Sequence, residues 1–268
     1  PPLAGNVGGI IAVEKDLPHD TLRLSKGTFQ IDKPLTLHSN VRLIGAGQDK
    51  TILLFTGETA AVFILLKNVE NVEIAHFTID AAHNPLAQQG IQAHNSRRIN
   101  IHHLAFKNFT KGDGFGPHGI LFVGKNPTRE GGVFHSLITD CTFENIAPDA
   151  LFGSAIRLSW GSCHNRIIRN TIHTTGRGGI FADNGSTDNT IQYNHISGSN
   201  GEGLGIEVWG DSDRSIIEYN IVDHWVSIGG SSFCAVRHNK IIGDPSNPKF
   251  CGIEGIGSAL VISDNRVG

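Results

Sequence analysis

Five segments in the C-terminal half of this chain share the spacing aliphatic-x-x-Asn-x-aliphatic: Ile167-Asn170-Ile172, Ile191-Asn194-Ile196, Ile217-Asn220-Val222, Val236-Asn239-Ile241 and Ile262-Asn265-Val267. Upstream, the same slots hold Ile138-Cys141-Phe143, Ile101-Leu104-Phe106 and Ile74-Phe77-Ile79. From Ile74 to Ile262 is 188 residues over seven steps, so one repeat averages about 27 residues. Each repeat carries a second short apolar run, usually after glycine or alanine: Gly90-Ile91, Gly119-Ile120, Ala155-Ile156, Gly179-Ile180, Gly205-Ile206 and Gly252-Ile253, with Val226-Ser227-Ile228 in the shortest repeat. Strands of three to five residues punctuated by Gly, Asn and Ser at this period exclude a helical solenoid. They predict an all-β fold, a parallel β-helix in which each repeat is one coil.

The Asn column then has a structural reason. Asparagine tolerates the left-handed backbone of a sharp bend, and its amide can bond to the next asparagine along the stack. Serines 96, 162, 186, 212, 232 and 258 mark the turn back. The pattern covers residues 1–268 as one unit, with residues 1–20 expected to form an N-terminal cap. Lys107 to Gly132 and Asp244 to Phe250 are expected to project as long loops. The chain ends within a strand at Val267-Gly268, so a second subunit or further chain is expected to cover that end. It opens at Pro1 and contains no methionine, so a processed or trimmed N-terminus is expected and a secretory signal cannot be read either way.

Composition narrows the partners. A net charge of −3 with 18% charged residues lacks the basic face of a nucleic-acid binder. No apolar run reaches the roughly 18 residues of a membrane span. Four scattered cysteines provide neither a disulfide scaffold nor a CxxC metal site. The Gly45-x-Gly47 pair lacks the third glycine and following helix of a dinucleotide loop.

The segment Gly27-Thr28-Phe29-Gln30-Ile31, followed by Pro34-Leu35-Thr36-Leu37 and Val41-Arg42-Leu43-Ile44-Gly45-Ala46-Gly47, resembles the first coils of the pectate-lyase-like superfamily. That superfamily includes polysaccharide lyases, epimerases and tailspike-type glycan depolymerases. The resemblance runs from about residue 20 onward. It implies a single-stranded right-handed parallel β-helix of about nine to ten coils, a secreted, periplasmic or cell-surface location, and a polysaccharide or oligosaccharide laid along one face.

Alternation places Ile156 and Leu158, Ile180 and Ala182, Ile206 and Val208 inside. The outward ladder is then Gln92 and His94, Leu121 and Val123, Arg157 and Ser159, Phe181 and Asp183, Glu207 and Trp209, Ser227 and Gly229, Glu254 and Ile256. Arg157, Phe181, Asp183, Glu207 and Trp209 put a cation, two aromatics and two carboxylates on three consecutive coils. Trp209 and Phe181 are expected to stack sugars, with Arg177, His94, Gln92 and Asp211 as further substrate contacts. Asp183 and Glu207, one coil apart and offset by two residues, stand roughly 8 Å apart, within the range of inverting glycosidases. The plain structural reading of these charges is a solvated surface ion network.

Of the 14 histidines, His173 is the catalytic candidate, because the loop carrying Arg177 leads from it into the Phe181–Asp183 strand. Gly116-Pro117-His118 resembles the Asp-Pro-His signature of alginate C5-epimerases, with glycine in place of the acid. His94, His102 and His103 could bind metal, yet no Cys/His/Asp set shows zinc spacing, so no metal site is assigned. No cofactor is required, while Asp211 and Asp213 with Glu207 could take calcium.

Three functions follow from this sequence. The first is cleavage of a glycosidic bond, with Asp183 and Glu207 as acid and base and Arg157 binding a hydroxyl or carboxylate. The second is a lyase or uronate epimerase on an acidic glycan, using Arg157, Arg177 and His173. The third is a non-catalytic glycan-binding or structural β-helix, such as a tailspike or adhesin segment, in which Leu121 and Val123 would form a contact between subunits of a homo-oligomer such as a trimer.

Overall fold

The computed structural model describes residues 12–16, 19–113, 115–200, 203–243 and 250–268. Among these residues there is no helix, and three sheets of 12, 10 and 9 strands run the length of the molecule, parallel apart from one N-terminal pair. Each coil contributes one strand to each sheet. In one central coil these are Arg166–Ile168 in the first sheet, Thr171–Thr175 in the second and Gly178–Asp183 in the third. The chain therefore makes three strands per coil. Each aliphatic-x-x-Asn-x-aliphatic segment is two strands meeting at a corner.

That corner revises the expected role of asparagine. The left-handed residue is the one before it: His76, His103, Asp140, Arg169, Tyr193, Tyr219, His238 and Asp264 all have φ between 51° and 64°. The asparagine instead closes the corner with its amide. Asn170 Nδ2 donates to Ile138 O at 3.1 Å and to Asn194 Oδ1 at 3.0 Å, and the same Asn194 oxygen accepts the Asn170 backbone N–H at 2.9 Å. The pattern continues through Asn220, Asn239 and Asn265. A parallel serine column runs from Ser162 through Ser186 and Ser212, each hydroxyl accepting the backbone N–H one coil before, and passes to Ser231 where Ser232 was expected. Buried backbone groups that no strand can satisfy are thus paired by side chains.

The interior is a column of stacked aliphatic and aromatic side chains. Ile156, Leu158, Ile180, Ala182, Ile206 and Val208 are all fully buried, as alternation requires. Fully burying each Ile or Val contributes roughly 1.5–3 kcal/mol. At the N-terminal end Ala12–Asp16 pairs antiparallel with His19–Arg23, which in turn pairs with Val41–Ile44. The rest of the expected cap, residues 1–11, 17 and 18, lies outside the described residues, as do residues 244–249 of the second expected loop. The expected 107–132 loop is not continuous. His118–Val123 is a strand of the third sheet, so residues 110–113 and 115–117 connect before it and 124–132 after it.

Candidate functional site

The outward ladder lies on the third sheet in the expected register. Gln92, Leu121, Arg157, Phe181, Glu207, Ser227 and Glu254 are consecutive partners along one row. Asp183, Trp209, Gly229 and Ile256 follow on the adjacent row. Asp183 and Glu207 are therefore diagonal neighbours on adjoining coils. Arg157, Arg177, Phe181, Asp183, Glu207 and Trp209 line one open cleft of about 240 Å³, together with Phe152 and Asn184.

The cleft is not the solvated ion network that charge alone suggests. Arg157 and Asp183 form an ion pair in which each side chain is only 9% exposed. Asp183 also accepts hydrogen bonds from Ser159 Oγ and Asn184 Nδ2. Burial pulls the Arg157 pKa down and the charge of Asp183 opposes that. Such a pair stands or falls together, since removing one partner of a buried pair costs roughly 3–5 kcal/mol against 0–1 for a surface pair. Arg177 makes the second pair, Nη2 to Glu207 Oε1 at 3.0 Å. The Phe181 ring lies between them, 5.7 Å from the Arg157 guanidinium and 6.0 Å from that of Arg177. It is 2% exposed. The expected sugar platform at Phe181 is thus a cation–π support, covered by what stacks above it.

That cover comes from two loops. Phe115, 56% exposed, sits 4.5 Å over the Arg157 guanidinium, and its ring meets Phe152 at 4.6 Å. Phe152 lies 6.0 Å from Arg177. At the other end Trp209 is 52% exposed, as expected. Its ring packs against Gly229 of the next coil, where an added Cβ would stand 2.2 Å from Cε3. The cleft has a charged floor and apolar aromatic edges. Alternation could not find Phe115 or Phe152, since both lie on loops; Asn184, next to Asp183, was within reach.

His118 stands beside this floor. It is fully buried, its Nδ1 is 2.8 Å from Ser154 Oγ, and its ring packs at 6.0 Å against Phe115. Burial, reinforced by the Arg157 charge, holds its pKa well below the usual imidazole range. His118 Nε2 and Arg157 Nε and Nη1 are buried without a hydrogen-bond partner among the described residues.

Other expected residues fall elsewhere. His173 is on the second sheet, exposed, with Nδ1 3.0 Å from Ser197 Oγ. The corner between Thr175 and Gly178 turns Arg177 toward the cleft and leaves His173 on another face, which removes it from the site. Asp211 is bound to Arg129 at 2.7 Å and anchors the 124–132 loop rather than lining the cleft. Asp213 accepts the Ser232 N–H, so Asp211, Asp213 and Glu207 each have a different partner. Gln92 and His94 bond to each other at 2.6 Å, two coils or about 10 Å along the sheet from Arg157. Leu121 is 8% exposed and Val123 is part-buried, so the exposed aliphatic pair expected there is absent.

Three parallel sheets around an apolar column define a β-solenoid, and this one carries a cleft on the flank of its third sheet. The chain belongs to the right-handed beta helix family, whose model, described as "Right handed beta helix region", matches residues 62–267. No curated protein matches the sequence. Among solved structures, the A-module of the Azotobacter vinelandii mannuronan C-5 epimerase AlgE6 superposes with a TM-score of 0.56 at 12% identity, over 93% of this chain and 91% of that one. PfbA, a surface adhesin of Streptococcus pneumoniae, gives 0.68 at 14% identity, over 91% and 76%. The Dettilon tailspike protein gives 0.59 at 16% identity, over 91% of this chain and 55% of the tailspike. At these identities the likeness is one of fold. Among the described residues no helix is long and apolar enough to cross a membrane.

Proposed function

We propose that this chain is a carbohydrate-active β-helix that takes a polysaccharide across the third sheet and cleaves a glycosidic bond beside Glu207. One observation carries the reading: a cleft whose carboxylates and guanidiniums are held in fixed pairs, with Phe152 and Trp209 in its lining and Phe115 stacked on Phe152. Aromatic faces take the apolar faces of sugar rings, while the paired charges reach their hydroxyls. Glu207 and Asp183 act as the acid–base pair, with Asp183 also holding Arg157 in place. A secreted, periplasmic or cell-surface location fits a polymeric substrate.

A second reading is a lyase or uronate epimerase acting on an acidic glycan. It is favoured by the unpartnered nitrogens of Arg157 and by neutral His118 with its free Nε2. Arg157 and Arg177 would neutralise a uronate carboxylate, and His118, fully buried against Phe115, would take the proton from the neighbouring carbon once Phe115 moves aside.

The test uses wild type and Glu207→Gln on neutral and uronic-acid polysaccharides, following reducing ends, absorbance near the ultraviolet edge and C5 configuration by NMR. Cleavage by wild type, lost by at least about 100-fold in the variant, is expected. Equal activity in both removes Glu207 from the chemistry. An unsaturated or inverted product selects the second reading, and binding without turnover leaves a glycan-binding module.

A further inference from the structure

On the corner between the first and second sheets, three histidines from adjoining coils converge. His76 ends one coil's first-sheet segment, and His102 and His103 end the next, the register pairing His102 with Ala75. One ring nitrogen from each lies within 4.8 Å of the others. Nδ1 of His102 and Nδ1 of His103 face each other at 2.9 Å. The rings of His76 and His103 are 5.0 Å apart and those of His76 and His102 are 5.4 Å apart.

The arrangement is supported from behind. His102 Nε2 lies 3.1 Å from Glu73 Oε1, and Glu73 is held by Arg42 Nε at 2.7 Å. A carboxylate accepting from His102 Nε2 fixes the tautomer and makes Nδ1 the acceptor, here of the His103 Nδ1–H, which a cation taken between the two nitrogens would displace. This carboxylate–histidine relay is the usual outer support of a metal-bound histidine. His76 and His102 are part-buried and His103 is exposed, so the cluster is reachable from solvent.

Turn geometry explains the backbone but not the side chains. His76 and His103 have φ of 64° and 51°, yet the same corner position in later coils holds Asp, Arg, Tyr, Tyr, His and Asp. Three converging imidazoles offer nitrogen donors to one point in space. Their chemistry suits a borderline cation. Metal–nitrogen bonds of about 2.0–2.1 Å place two nitrogens roughly 3.0–3.4 Å apart, so the His102–His103 spacing already approximates a ligand edge. The His76 nitrogen lies within 4.8 Å of that pair, so an ion would draw it and the pair together by roughly 1–1.5 Å.

We propose that His76, His102 and His103 bind a late first-row divalent cation such as Zn²⁺, with Glu73 orienting His102 and solvent completing the shell. All-imidazole ligation selects Zn²⁺, Cu²⁺ or Ni²⁺ over Mg²⁺ and Ca²⁺. The ion would join two successive coils on a corner away from the cleft, so its effect is on stability, and the inference stands apart from the glycan reading.

The probe is Zn²⁺ added to untagged, chelator-treated protein, followed by calorimetry, with Co²⁺ absorption as a second signal. Wild type is expected to bind one ion per chain and to show a higher Tm when loaded. A His76→Ala/His103→Ala variant is expected to lose the site and the Tm increase, and Glu73→Gln to weaken binding by roughly 10–100-fold. His135→Ala/His164→Ala, which removes the stacked pair at 5.1 Å elsewhere on the surface, is expected to bind as wild type does. Circular dichroism checks that each variant keeps its fold; should the double alanine variant unfold, His103→Gln replaces it. Absence of stoichiometric Zn²⁺ binding to wild type, or binding that survives the loss of His76 and His103, overturns the proposal.

Discussion

Replacing Asn194 with alanine tests whether the corner asparagines hold the solenoid together. Asn194 is 1% exposed. Its amide donates to Ile167 O at 3.0 Å and to Asn220 Oδ1 at 3.0 Å, while its oxygen accepts from Asn170 N at 2.9 Å and Asn170 Nδ2 at 3.0 Å. Its own backbone N–H keeps its bond to Asn220 Oδ1. Four hydrogen bonds are lost, and the buried Asn170 N–H is orphaned. At a net of about 1 kcal/mol per bond, the expected cost is about 4 kcal/mol. No backbone strain is relieved in exchange, because the positive φ belongs to Tyr193. Urea unfolding followed by circular dichroism measures the loss. Asn194→Asp provides a second reading: it retains the acceptor for Asn170 but buries a carboxylate next to two carbonyl oxygens. That variant is expected to be weakest at neutral pH and to recover as the acid is protonated. A loss below about 1 kcal/mol in Asn194→Ala, with no pH dependence in Asn194→Asp, would refute the claim that side-chain amides carry the corner.

Two further outcomes follow from the geometry. Gly229→Ala should displace the Trp209 indole, because the new Cβ would lie 2.2 Å from its ring, and affinity for a bound glycan should fall toward that of Trp209→Ala; unchanged affinity in both variants would show that the indole is not a sugar platform. Arg214 holds the Asp188 pKa down to about 2, from 3.8, through its hydrogen bonds. Because the folded-state value lies below the unfolded one, the pair's contribution is fully present above about pH 4 and is lost as pH falls toward 2. The urea midpoints of wild type and Arg214→Ala should therefore differ at pH 7 and converge near pH 2, and a constant difference would count against the pairing.

The repeat was legible because a solenoid writes its tertiary contacts as local pattern: each coil meets only its neighbours, so equivalent slots are true partners. Alternation alone put Arg157, Phe181 and Glu207 on one row and Asp183 and Trp209 on the next, and the register agrees. The same logic failed where the relevant residue stood one slot away from the column being followed. His76 and His103 occupy identical positions 27 residues apart, immediately before Phe77 and Leu104, and reading that column downward would have joined them. His173 was misplaced because nearness along the chain does not survive a corner.

The sequence by itself determined the coil, its inward and outward rows and the asparagine stack, since these depend on spacing that recurs with each turn of the chain. Only the tertiary structure decided which outward side chains stay in water. Phe152 reaches the cleft from a loop of no repeating length and Phe115 stacks on it from another, and their cover helps make Arg157–Asp183 a buried ion pair on the cleft floor. Loop paths depend on the surfaces they land on, and no periodicity encodes those.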